Sequence, residues 1–309
     1  MQIPVLRIGT RSSALALAQA EEVRTRLMQM HTLPSSAFEI IAMSTAGDRI
    51  MNASLSAFGG KGLFTREIEI ALKEGRIDVA VHSTKDMPTV LPDGLHLSVY
   101  LKREDPRDAF IGKAVSHLRD LPYGATIGSS SKRRKALVRK IRPDLKIVPC
   151  RGNIGTRLSR LKETKMDGTF LALAGLRRLH LQAVATEILE PEFFLPAPGQ
   201  GALVIESRVS DSNIDAFIRP LADIATHYEM ACERMFLSRL DGSCCTPLGG
   251  LARVRGDDIY FMSMIITQDG RISHEFRLHG SVEDAEDIGQ QAAEQLKKDA
   301  GFAFFEGWV

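Results

Sequence analysis

PAPGQG at residues 196–201, followed by ALVIE at 202–206, decides how this chain is laid out. Pro196 and Pro198 stiffen the segment and Gly199 and Gly201 loosen it, so a boundary between structural units falls here. The apolar run Leu203–Glu206 then reads as a strand returning to the unit in which the chain began. A chain that leaves one lobe, builds another and returns makes two crossings between them.

Upstream of this point the pattern is a βαβ grammar stated twice. Val5–Ile8, Phe38–Met43, Asp78–Val81 and Leu95–Val99 read as strands. Ser13–Met30 reads as a helix, with Leu15, Ala18, Val23 and Leu27 at helical spacing. Leu63–Glu74 is a second helix, with Ile68, Ala71 and Leu72 on one face and Gly75 placed as its C′ stop. After the charged connector Lys102–Arg107 the grammar restarts. Ala125–Gly128, Leu145–Val148 and Thr169–Leu173 are strand-like. Lys132–Ile141 and Asn153–Lys162 are helical, the latter burying Ile154, Leu158 and Leu161. Such alternation implies mostly parallel sheets with helices on both faces. The lobes are expected at 1–101 plus 202–219 and at 107–195. A third unit at 224–309 opens with a helix to Leu240, continues through hairpin-like strands, and closes with a helix around 284–299.

The chain of 309 residues carries 40 basic and 38 acidic side chains, an ordinary balance for a globular protein. The start MQIPVLRIGT lacks the marks of a signal peptide, and no apolar run approaches the roughly 18–20 residues of a membrane span. A cytoplasmic protein with no membrane partner is expected. Cys150, Cys232, Cys244 and Cys245 are too few for a disulfide framework and lack zinc-like C-x₂-C pairs, so no metal is expected.

Charge is unbalanced locally. Residues 132–162 hold twelve Lys or Arg and a single acid, Asp144. A local basic field gathers anions: nucleic acid, phosphate or a polycarboxylate. Serines 129–131 read as N-caps, which puts Arg133 and Arg134 in a first helical turn. There they oppose the macrodipole, a mismatch that points to an anionic ligand. Arg139, Lys140 and Arg142 suit the C-terminal end of that helix without one. Arg151 and Arg157 flank the glycine-bearing loop before the next helix, and guanidinium forks suit carboxylates. Arg178 follows the next strand. Arg11-Ser12-Ser13 follows the first strand, and two readings stand there, anion binding or helix capping. His82, Ser83, Lys85 and Asp86 lie past the strand Asp78–Val81, where ligands of α/β sheets bind. Cys150 closes an apolar strand and reads as packing. Cys244 and Cys245 sit in a loop of small residues, where a thiol is accessible.

Taken in order, these segments resemble the porphobilinogen deaminase family. The motifs are STAGD at 44–48, GGKGLF at 59–64, VHSTKDMP at 81–88, SSSKRRKAL at 129–137, CRGNIGTRL at 150–158, AGLRRL at 174–179, PAPGQGAL at 196–203 and GSCCTPLG at 242–249. The resemblance covers about four fifths of the chain. It implies an α/β fold of three domains: two solute-binding-protein-like lobes joined by hinge strands, and a smaller α+β C-terminal domain. It implies a transferase that joins four porphobilinogen molecules head to tail into hydroxymethylbilane and releases ammonia. A dipyrromethane cofactor is implied, held by a thioether to the cysteine three residues before the proline in G-x-C-x-x-P, here Cys244. Cys245 stands at a position the family varies. Asp86 matches the catalytic carboxylate. Lys85, Ser129, Ser131, Arg133, Arg134 and Arg151 match cofactor-binding positions. Arg11, Ser13, Arg151, Arg157, Arg178 and Gln200 match substrate-binding positions. Lys61 and Phe64 match a segment that covers the site. Ala57 replaces a lysine found in some members, and Lys132 stands where an apolar residue is common. Each condensation adds carboxylates, which answers the question of the anion.

Two rival readings make different predictions. A solute-binding protein of the same architecture would carry no covalent adduct. A nucleic-acid binder using residues 132–142 would show steep salt dependence. Arginines scattered among glycine-bearing loops, without aromatic interleaving, favour a pocket for a small molecule. A monomer with porphobilinogen as its partner, and no nucleic acid, is expected.

Overall fold

The computed structural model describes residues 6–45, 47, 64–242 and 246–306. Two compact units emerge. The first holds the chain to Glu104 and again from Ala202 to His227; the second holds Asp105–Gly201 and Tyr228 onward.

In the first unit, β1 (Leu6–Arg11), α1 (Ala14–His31), β2 (Phe38–Met43), α2 (Arg66–Lys73), β3 (Val79–Ser83) and β4 (Leu95–Tyr100) follow in order. Ser13 caps α1 by accepting from the Ala16 amide. The buried stripe of α1 is Ala16, Ala20, Val23 and Leu27. Leu15 and Ala18, expected on that stripe, are half-buried beside it, and Leu15 turns toward the pocket at the carboxyl end of the sheet. At the end of α2, Gly75 adopts φ +68°. The Arg76 amide reaches back to Ala71 O at 2.9 Å and the Gly75 amide to Leu72 O at 3.1 Å. This is the Schellman stop expected of that glycine.

In the second unit come β5 (Asp108–Gly112), β6 (Thr126–Gly128), α3 (Lys132–Ile141), β7 (Lys146–Val148), α4 (Ile154–Glu163), β8 (Gly168–Ala172), α5 (Leu173–Arg178) and β9 (Glu187–Leu189). The chain then supplies β10 (Leu203–Arg208) to the first unit, followed by α6 (Ser212–Ile218). α7 (Ile224–Arg239) leads to an antiparallel sheet of β11 (Leu248–Arg255), β12 (Asp258–Ile266) and β13 (Ser273–Ser281), backed by α8 (Ala285–Ala300).

The two five-stranded sheets share one layout. Their orders are β2-β1-β3-β10-β4 and β7-β6-β8-β5-β9. In each, three parallel strands adjoin one reversed strand, β10 or β5, with an outer strand beyond it. The correspondence reaches single hydrogen bonds. The Arg7 amide donates to Asp78 Oδ2 at 2.8 Å, and the Thr126 amide donates to Asp167 Oδ2 at 2.7 Å. The sequence carries no visible repeat to announce this.

Apolar clusters cover both faces of the first sheet. Val23 and Leu27 of α1 pack with Ile8, Val79, Val81, Leu203 and Ile205. Ile68, Ala71 and Leu72 of α2 pack on the opposite face with Ala80. In the second unit Ala136, Leu137 and Val138 of α3 lie between Ile127 and Phe170 of one sheet and Met264 and Ile266 of the other. Wholly buried Glu233 of α7 accepts from the Ala252 amide at 2.8 Å and from the Gly199 amide, which fixes the Pro/Gly punctuation in place.

Candidate active site

The first unit brings several expected residues together at one edge of its sheet. β1 and β3 are parallel neighbours, so their carboxyl ends lie side by side. β1 ends on Arg11 itself, three residues beyond the expected strand end. β3 runs into a 3₁₀ turn, Thr84–Asp86, which Pro88 prevents from continuing. Arg11 Nη1 stands 3.8 Å from Asp86 Oδ2, with both side chains partly exposed. The Phe64 ring lies under the Arg11 guanidinium, 4.2 Å from its carbon, a cation–π contact. Ser13 adjoins the same pocket, as do Leu15, Gln19, Thr65, His82 and Ser83. Gln19 donates to Ser83 Oγ at 2.9 Å, tying α1 to the end of β3. Lys85 precedes Asp86 in the turn.

The second unit gathers its cations differently. Ser131 caps α3 by accepting from the Arg134 amide, and Ser130 accepts from the Cys150 amide. Ser129 is buried, its amide donating to Val148 O. Arg133 and Arg134 do not point into solvent. They are 4% and 6% exposed and converge on Asp108, which is fully buried. Arg134 donates through Nε and Nη2 to Asp108 Oδ1 at 3.0 and 2.6 Å, and Arg133 Nη1 lies 2.8 Å from Oδ2. Backbone carbonyls of Leu195 and Phe170 take one further bond from each arginine. Gln200, 1% exposed, donates to Pro106 O and Asp108 Oδ1. Burial alone raises the Asp108 carboxyl, but the two guanidiniums outweigh it and hold it at about 2. The mismatch of basic residues at a helix start is thus met from inside the protein. Two guanidiniums share one carboxylate, so the array keeps a net positive charge.

Arg157 donates through Nε to Gly152 O at 2.8 Å, and Arg178 through Nη2 to Gly201 O at 3.2 Å, so both side chains are anchored at their loops. Arg151 follows β7 and lies close enough to Lys135 for its charge to be felt there. Burial first, then Arg139, Lys132 and Arg151, pull the Lys135 ammonium below its usual value. Other basic residues are committed to structure. Arg142 pairs with Asp144 at 2.7 Å, Arg139 donates to Gln268 O, and Lys140 meets Glu275. Cys150 and Cys232 are buried, and burial pushes the Cys232 thiol up. Lys61, Cys244 and Cys245 lie outside the described residues. No described helix is long and apolar enough to cross a membrane.

Asp108 and Gln19 were missed in the sequence. Asp108 offers one signal, an acid entering the short apolar run Ala109-Phe110-Ile111; Gln19 offers none.

A carboxylate beside an arginine at the carboxyl ends of adjacent parallel strands places the first unit in the class of α/β proteins that bind ligands at their strand ends. Comparison with known proteins narrows the class. The family description "Porphobilinogen deaminase, dipyromethane cofactor binding domain" matches residues 6–216, and "Porphobilinogen deaminase, C-terminal domain" matches 227–298. A curated porphobilinogen deaminase of Nitrobacter hamburgensis is 52% identical over 298 residues, 96% of this chain and 94% of that protein. Among solved structures, an ABC-transporter periplasmic substrate-binding protein of Coxiella burnetii aligns with TM-score 0.44 and 15% identity over 70% of this chain and 92% of that one. A methionine-bound nutrient-binding protein of Burkholderia cenocepacia aligns with TM-score 0.44 and 13% identity over 70% and 90%. The chain belongs to the porphobilinogen deaminase family. It is a transferase of tetrapyrrole biosynthesis that forms hydroxymethylbilane from porphobilinogen.

Proposed function

We propose that Asp86 is the catalytic carboxylate of this reaction and that a dipyrromethane cofactor is joined through a thioether to Cys244. Lys85, Asp86, Ser129, Ser131, Arg133, Arg134 and Arg151 hold the cofactor. Arg11, Ser13, Arg151, Arg157, Arg178 and Gln200 hold the substrate. Lys61 and Phe64 belong to a covering segment. The residues present fit such a group. Burial first, and then the neighbouring charges of Arg139, Lys132 and Arg151, depress the Lys135 ammonium, and a ligand with several carboxylates offsets the second of these. The charge left over by two arginines on Asp108 acts in the same sense.

The observation that carries the reading is the 3.8 Å approach of Arg11 and Asp86 at the carboxyl ends of adjacent parallel strands. Arg11 takes an acidic arm of the substrate, and Phe64 shields that guanidinium on one side. Asp86 faces a pyrrole N–H and stabilises positive charge on the ring while the carbon–nitrogen bond to the amine breaks. When bound, the cofactor supplies a free pyrrole α-carbon as nucleophile and primer. Asp86 is placed to accept a proton beside such a carbon once the new carbon–carbon bond has formed, which balances the proton that protonates the departing amine. We further read the chain as a cytoplasmic monomer that acts on porphobilinogen without a nucleic-acid or membrane partner.

Intact mass under denaturing conditions tests the cofactor. Wild type and Cys245→Ser are expected to carry the added mass of two pyrrole units, and Cys244→Ser to lack it. The reverse pattern moves the tether to Cys245, and no added mass anywhere overturns the proposal. Asp86→Asn is expected to lower kcat by about 10²–10⁴-fold with little change in KM; a normal rate removes Asp86 from the chemistry.

A further inference from the structure

Beside the Asp86 turn lies a buried group of ionisable side chains that the chemistry above leaves unused. His82, the fourth residue of β3, lines the pocket that also holds Arg11, Phe64 and Asp86. Its Nε2 lies 3.1 Å from Oε2 of Glu206 on β10, and the two side chains are 4% and 0% exposed. Strand register explains the meeting. Val204 stands opposite His82 and Glu206 opposite Ala80, so His82 and Glu206 are diagonal neighbours on one face of an antiparallel pair. That face looks onto α2, since Ala80 shares its core with Ile68, Ala71 and Leu72.

α2 sends Glu69 into the same space. Glu69 is buried, and its Oε1 has no hydrogen-bond partner among the described residues; Oε1 of Glu206 is in the same position. Burial pushes the Glu69 carboxyl up, the Thr65 hydroxyl opposes this most, Glu206 adds to it, and His82 and Lys73 oppose it more weakly. Glu206 of β10 meets His82 at 3.1 Å, Glu69 of α2 lies near enough for their charges to interact, and Arg11 and Asp86 line the same pocket. Two carboxyls and an imidazole in an apolar layer cost far more than three packed side chains of like volume. Groups of this kind concentrate beside reaction sites.

Resting on the assignment of Asp86, we propose that His82 is a positioning residue for the reaction, and that the His82–Glu206–Glu69 group sets the pH range of turnover. Glu206 holds the imidazole in the pocket wall, and Glu69 adds or withholds negative charge behind it. In each condensation a carbon–nitrogen bond breaks, a carbon–carbon bond forms, and the proton lost from the α-carbon departs with ammonia. No net proton is consumed. A buried group that holds charge and returns it unchanged suits that cycle.

The test uses the full chain with its cofactor loaded, comparing wild type with His82→Gln, Glu206→Gln and Glu69→Gln from about pH 6 to about pH 9. Intact mass reports loading, and kcat and KM are followed across the range. His82→Gln is expected to lower kcat by about 10-fold or more with KM within about twofold. All three variants are expected to displace the kcat–pH profile. Profiles that superimpose on wild type overturn the proposal, even if rates fall, because a packing role lowers activity without moving the profile. Should His82→Gln fail to load, the two glutamate variants decide by the same criterion. The two readings fail separately. A normal Asp86→Asn rate sinks the role of Asp86 but leaves displaced profiles standing, and unmoved profiles sink the buried group but leave Asp86 intact.

Discussion

Replacing Asp108 with alanine leaves Arg133 and Arg134 buried with carbonyl partners alone. Removing one member of a buried ion pair costs about 3–5 kcal/mol, so Asp108→Ala is expected to lose that much in urea unfolding. The pH dependence has a definite sign. Asp108 is held at about 2, below its unfolded value of about 3.9, so its contribution is full above pH ~4 and drains as pH falls toward 2. Wild-type stability should therefore drop between pH 4 and 2 more steeply than that of Asp108→Asn, as urea midpoints at each pH would show. Glu69 runs the other way. Its carboxyl is raised, so its contribution is full below the unfolded value of about 4.3 and is lost as pH climbs through the folded value. Glu69→Gln is expected to melt higher than wild type at pH 8 and to match it near pH 4. Much at this scale was legible: the strand running into Lys85-Asp86 and the arginines in the first turn of α3 could be read directly from the chain. What was not legible is which partner each charge meets. Asp108 is 25 residues from Arg133 in the chain, and only the folding of β5 against β8 makes them neighbours.

Helix ends govern how the candidate loops are presented. α7 stops in a Schellman arrangement: the Gly242 amide reaches Leu237 O at 2.9 Å and the Asp241 amide reaches Ser238 O at 3.1 Å. Asp241 takes φ +50°, an aspartate in the left-handed position usually given to glycine. A Cβ added at Gly242 would stand 2.6 Å from Leu237 Cδ1 and 2.9 Å from Leu248 Cδ2. Gly242→Ala is therefore expected to cost about 1–3 kcal/mol and, with the tether proposed at Cys244 two residues later, to lower the fraction of chains carrying the cofactor mass. Melting curves and intact mass check the two parts. Periodicity and caps announced the long helices, and Gly75 announced the end of α2. α5 was hidden because six residues are too few to display a period. β5 and β9, at five and three residues, were hidden for the same reason.

For the molecule as a whole, net charge of +2 conceals a segregated distribution. Salt screens exposed cations, and a substrate that arrives with carboxylates responds to that screening. Raising salt from about 0.05 M to about 0.5 M is expected to raise KM for porphobilinogen several-fold while kcat changes little. A KM that does not move would mean that capture relies on contacts other than charge. The two-crossing layout was legible from PAPGQG and the strand behind it, whereas the matched strand orders were not, because they reside in hydrogen-bond pairing and leave no repeated residues.

That layout has a consequence for how the protein is born. β10 sits between β3 and β4, yet it is made only after the whole second five-stranded sheet. At about 5–20 residues per second, the ribosome needs roughly 5–20 s to pass from β4 to the end of β10. During that delay the facing edges of β3 and β4 lack their partner, while residues 108–189 already contain every strand of their own sheet. A nascent chain stalled short of residue 203 is therefore expected to be clipped by protease within residues 79–100 and protected within 108–189. The amino-terminal lobe, first to leave the ribosome, is the later of the two to close.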